Sequence, residues 1–142
     1  MLFARLLTGW TALVWISYGS WLILDPTRLA FMGITFPHWS VTVEVFAMYG
    51  WLQAALGVFA LLGTCRPQHY LRANVVLWSL LFTALSVGRL IGLGLFGGDY
   101  TLVPGSPQLP TDYNTGALYF YELPCAMLFL TAWWRLRKQD DT

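Results

Sequence analysis

Residues 73–96 read ANVVLWSLLFTALSVGRLIGLGLF. Arg89 is the single formal charge in that run. At about 1.5 Å per residue, a helix of this length measures roughly 36 Å, enough for a hydrocarbon core of about 30 Å. A buried helix of a soluble protein rarely stays apolar on all faces for so long. Three further runs share this character: Phe3–Leu24, Val41–Leu62 and Thr115–Leu136. The pattern predicts an all-α integral membrane protein, a single four-helix bundle occupying residues 1–142.

Composition agrees. Hydrophobic residues make up 57% of the chain and charged ones 11%, against about 25% charged in an ordinary soluble domain. The net charge of +1 offers no basic patch for nucleic acid and no acidic tract. Cys65 and Cys125 fall in different segments, without a CxxC or zinc-ligand spacing, so neither a disulfide framework nor a metal site is expected. The first run carries Arg5 near its start but no small-x-small cleavage site, which predicts a retained span rather than a signal peptide.

The connections alternate in charge. Arg5, Arg66, Arg72, Arg135, Arg137 and Lys138 fall on one side, and Arg28, with Asp25, Asp99 and Asp112, on the other. Six basic residues against one predict that both ends and the Thr64–Arg72 turn face the cytoplasm. Trp21 and Trp39, opposite Trp133 and Trp134, suit the two interfacial aromatic belts. The expected location is a bacterial inner membrane, crossed several times. In the first outer connection, Asp25-Pro26 reads as an N-cap and a first helical position, predicting a short interfacial helix over Pro26–Met32. The second, Gly97–Asn114, is rich in glycine and proline. It reads either as a recognition loop or as a simple tether.

Three charges fall inside the spans: Glu44, Arg89 and Glu122. All three lie within about 5–11 Å of the outer boundary, counting 1.5 Å per residue. Intramembrane charges usually face a bundle interior and pair. One reading is a Glu44–Arg89–Glu122 network in which the guanidinium fork bridges two carboxylates. The excess negative charge would then require a protonated glutamate, a cation or a donor-rich ligand. The other reading gives each charge a separate interfacial role. Glu44 would complement a helix N-terminus and Arg89 would snorkel outward, while Glu122 is the hardest to place so. Tyr49 and Gln53, one turn apart, and Tyr121 beside Glu122 are candidates to extend the polar site, as is Tyr119. Ala47, Gly50, Ala54 and Gly57 form a seam of small residues suited to close helix packing. Pro124 predicts a kink that releases the carbonyl of Phe120 beside Glu122.

With these residues placed, the chain resembles a bacterial family known as a domain of unknown function (family number 4345) and, more distantly, the DoxX-type four-helix membrane proteins. The likeness rests on Pro26, on Glu44, Ala47, Tyr49 and Gly50 opening the second span, on Gly88-Arg89-Leu90-Ile91-Gly92 near the end of the third, and on Glu122. The family pattern has an arginine where Phe46 stands and a glycine where Trp51 stands. The missing arginine leaves Arg89 as the obvious partner for the acids. The resemblance implies the four-helix fold and this choice of residues, and it implies no reaction.

Three function classes fit. The first is a non-enzymatic accessory or small-ligand-binding protein, partnered by the bilayer, a protein or second copy of itself, or a small lipid-like ligand. The second is a proton- or ion-coupled transporter, which the two acids motivate and the lack of inner-half charges opposes. The third is a lipid or isoprenoid enzyme with Glu44 or Glu122 as acid or base and Arg89 holding a headgroup. His38 and His69 are expected on opposite sides of the membrane, and no phosphate-binding or hydrolase motif is present. The expectation leans to the first class, with no cofactor, no metal and no catalytic residue.

Overall fold

The computed structural model describes residues 1–32, 36–96 and 115–138. The Gly97–Asn114 loop therefore lies outside the described residues. Among those described there is no strand. Four long helical segments follow one another: α1 (Leu2–Leu24), α2 (Trp39–Cys65), α3 (Pro67–Phe96) and α4 (115–138). A short 3-10 helix, Pro26–Met32, follows α1, as the Asp25-Pro26 pair predicts. The chain divides into two compact units, Met1–Asn74 and Val75–Thr142, with the boundary inside α3.

In the first unit, α1 and α2 pack closely because glycines remove the side chains between them. A Cβ at Gly19 would stand 2.5 Å from the backbone nitrogen of Ala54, and one at Gly57 would stand 2.6 Å from that of Ile16. Thr8 and Thr64 share a hydrogen bond of 3.1 Å near the other end of the pair. Partners descend along α2 as α1 ascends, so the two helices are antiparallel. Of the seam predicted on α2, Gly50 and Gly57 are buried and Ala54 half-buried, whereas Ala47 is exposed. The physical reason is a π turn, Phe46–Trp51, in which Leu52 donates to the carbonyl of Ala47, five residues back. The wider turn holds an extra residue and rotates what precedes it out of the stripe.

The link from α2 to α3 is tighter than the predicted Thr64–Arg72 turn. Thr64 and Cys65 are still helical, and α3 begins at Pro67. Proline is preorganised for a first helical position, where its missing N–H costs nothing. Arg66, at φ −125° and ψ 65°, makes the whole break. Asn74 then donates to the carbonyl of Phe59 at 3.0 Å, tying the start of α3 to α2.

The connection that follows α1 is held by polar bonds. Asp25 accepts from the backbone N–H and the hydroxyl of Thr27 at 3.1 and 2.6 Å. Arg28 lies 3.5 Å from the same carboxylate, donates to the Trp21 carbonyl at 3.2 Å and stacks over the Trp21 ring. Beneath them Leu22, Leu29 and Val45 form a buried cluster with Tyr18, Phe36 and Val41 packed on it. His38 caps α2, its Nδ1 accepting from the N–H of Ser40.

In the second unit, the rest of α3 meets α4. Trp78 and Phe82 are fully buried on one face of α3, and Phe129 stacks on both, with centroids 6.3 and 5.8 Å away. Tyr121 meets Phe82 edge-on at 5.5 Å. These pairs show that the two helices are antiparallel.

α1, α2 and α3 are each long and apolar enough to cross a membrane. α4 carries Glu122 and Pro124 and closes on Arg135, Arg137 and Lys138, and it falls outside that group. Large apolar side chains such as Trp10, Leu13, Trp51, Leu80 and Ile91 point outward along the helices.

Candidate functional site

Arg89 and Glu122 form a two-pronged ion pair. Nε of Arg89 donates to one carboxylate oxygen at 2.8 Å, and Nη2 donates to the other at 2.7 Å. Parallel bonds of this kind are the strong, directional form of the arginine–carboxylate contact. Glu122 is buried, at 4% exposure, and the Arg89 side chain retains 22%. The charge sits toward the surface of the unit and the countercharge beneath it.

Glu122 owes its position to an irregular stretch of α4. Residues Leu118–Glu122 form a π turn, closed by the N–H of Leu123 donating to the carbonyl of Leu118. Pro124 follows at once. The ordinary α-helical donors for the Tyr119 and Phe120 carbonyls are Leu123 and Pro124. The first is bonded elsewhere and the second has no N–H. The sequence predicts disturbance at Phe120 by a kink, and the structure accommodates the proline through a wide turn that also involves Tyr119. Phe120 itself points outward, at 88% exposure.

The remaining candidates are distributed between the units. Glu44, Tyr49 and Gln53 belong to Met1–Asn74 and Arg89, Tyr121 and Glu122 to Val75–Thr142. Glu44 is exposed on the second turn of α2, Tyr49 lies within the π turn, and Gln53 is half-buried just beyond it. Tyr121 packs through its ring against Phe82. Among the described residues each unit thus has one π turn, with Glu44 two residues before the first and Glu122 at the end of the second. Such turns are frequent at functional sites. Nothing in the periodicity of the chain announces them, although Pro124 marks the second.

Among the described residues, no group of three or more histidine, cysteine or acidic side chains gathers at one point. Cys65 is exposed and Cys125 buried, and neither is in a disulfide. Compared with known families, curated proteins and solved structures, the chain matches none.

Proposed function

We infer that this chain is a small four-span membrane protein with both termini in the cytoplasm, a non-enzymatic accessory or ligand-binding protein of a bacterial inner membrane. Three helices of membrane length and their outward apolar side chains support insertion. The basic residues that close α4 support a cytoplasmic C-terminus. α4 becomes the fourth span once its one buried acid is neutralised by Arg89. The resemblance to the four-helix families fits the same architecture.

The observation that carries the reading is the Arg89–Glu122 pair beside a π turn. An ion pair in an apolar helix pair adds little to stability, because desolvation offsets most of the attraction. Its value lies in presenting directed donors and acceptors where lipid offers none. Glu44, Tyr49 and Gln53 are a second candidate polar group, within the other unit.

Native mass spectrometry of gently solubilised wild type beside Glu122→Gln tests the reading. A small molecule or lipid retained on the wild type and lost from the variant is expected. Identical bare spectra would refute ligand binding and leave the pair a structural tie.

A further inference from the structure

Arg28 is held within the fold of Met1–Asn74, by the Asp25 carboxylate, the Trp21 carbonyl and the Trp21 ring. Arg5 and Arg66 of the same unit differ. Both are exposed, and among the described residues neither guanidinium makes a hydrogen bond or an ion pair. The unit has no carboxylate to offer them. Its two acids are Asp25, 20 residues along α1 from Arg5, and Glu44, 22 residues along α2 from Arg66. At 1.5 Å per residue each acid is roughly 30 Å from the arginine on its helix.

The fold brings the two arginines to one end of the α1–α2 pair. The Arg5 carbonyl accepts from the Thr8 hydroxyl at 3.0 Å and from the Thr64 hydroxyl at 3.4 Å. Arg66 follows Thr64 by two residues and is the single-residue break between α2 and α3. Next to the arginines in the chain, Leu6, Leu61 and Leu62 are exposed as well. This helix end therefore joins two cations to an apolar wall. An arginine fork takes a phosphate through parallel hydrogen bonds. A soluble anion would use the charge and leave the leucines bare. A phospholipid uses both, with its phosphate at the guanidiniums and its acyl chains on the leucines. A zwitterionic headgroup brings its own ammonium and needs the arginines less, so the charge favours an anionic one.

We propose that Arg5 and Arg66 hold the phosphate of an anionic phospholipid whose acyl chains run along Leu6, Leu61 and Leu62. The inference rests on the bilayer insertion proposed above and is independent of any ligand at Arg89 and Glu122.

The test exposes the gently solubilised full chain to equal amounts of phosphatidylglycerol and phosphatidylcholine and reads the retained lipid by native mass spectrometry. Wild type should retain phosphatidylglycerol preferentially. Arg5→Gln/Arg66→Gln should weaken that retention roughly 25-fold, at about fivefold for each arginine near an anionic headgroup. Arg5→Lys/Arg66→Lys should keep much of it. Neither guanidinium is bonded within the described fold, so thermal unfolding without lipid should find both double variants folded like wild type. Arg28→Gln and Glu122→Gln should leave the retention unchanged. Equal retention of the two lipids by wild type, or an unchanged preference in the glutamine double variant, overturns the proposal. Equal weakening by Arg137→Gln also overturns it, because the effect would then belong to diffuse positive charge. Displacement of the lipid by inorganic phosphate would show an anion site without acyl contact and overturn the lipid assignment. Loss of the lipid in Glu122→Gln with retention in the glutamine double variant would move it to the site at Arg89 and Glu122, sparing that reading and overturning this one. Alkali-resistant reconstitution into phosphatidylcholine vesicles checks insertion separately, and its failure would overturn the membrane reading and this inference together.

Discussion

Gly19 and Ala54 touch backbone to backbone. The site of a Gly19 Cβ falls 2.5 Å from the Ala54 nitrogen and 2.7 Å from the Gly50 carbonyl oxygen. Neither atom belongs to a flexible side chain, so the helices themselves would have to separate. Gly19→Ala is expected to destabilise the first unit by roughly 1–3 kcal/mol or more, as overpacking does. Gly88 and Gly92 supply the control, since a Cβ at either meets nothing within 4 Å. Alanine there should be neutral or add about 0.5–1 kcal/mol through helix propensity. Thermal unfolding of the three variants in one detergent checks the contrast.

Arg89→Leu should leave the Glu122 carboxylate buried without its countercharge. Breaking a buried pair from one side costs about 3–5 kcal/mol, and the 22% exposure of Arg89 places this case at the lower end. Adding Glu122→Leu should recover most of the loss, because the pair contributes little net stability once both charges are gone. A double-mutant cycle on unfolding midpoints measures the coupling. Full additivity would show that the two side chains do not interact.

Phe129→Ala should weaken the second unit, for Phe129 is fully buried against Trp78 and Phe82. In the proposed bilayer, lipid is as apolar as the protein interior, so the loss is one of packing and cavity rather than of burial from water. The effect should therefore fall below the roughly 3–5 kcal/mol seen for such truncations in soluble cores. Phe120→Ala removes an outward ring and should leave the midpoint unchanged in detergent.

The Asp25 turn should respond to acid. Its carboxyl is held below the usual 3.8, chiefly by the Thr27 hydroxyl, with the Thr27 N–H and Arg28 acting in the same direction. A depressed folded-state value means that the carboxylate stabilises the fold at neutral pH, begins to lose that effect near pH 3.8 and has lost it below its folded value. Wild type should thus unfold above Asp25→Asn at pH 7, and the gap should close as the pH drops below 3.8. A gap unchanged by acid would argue against a role for the charge.

The sequence made the long helices legible because apolar length is a strong signal, and the Pro26–Met32 helix legible because Asp25-Pro26 marks its start. Depth counting set Glu44, Arg89 and Glu122 in one layer and left open whether they meet; the Arg89–Glu122 bonds are visible only in the structure. The turn at Arg66 could not be placed, since His69 and Arg72 look like loop residues until Pro67 is recognised as a helix start. The π turns were illegible for a different reason. A five-residue register depends on how neighbouring turns pack, and at Phe46–Trp51 no proline signals it. Gly19 escaped notice because a lone glycine in an apolar helix shows its purpose only when a second helix lies against it.

If α3 crosses a bilayer as proposed, its 30 unbroken residues, about 45 Å of rigid rod, exceed a hydrocarbon core about 30 Å deep. The surplus must be taken up by protrusion or by tilt. Tilting would raise or lower Arg89 relative to the headgroups as acyl chains shorten or lengthen. The ion pair would then be better hydrated in thin membranes and drier in thick ones, so that lipid chain length acts as a dial on the polarity of the site.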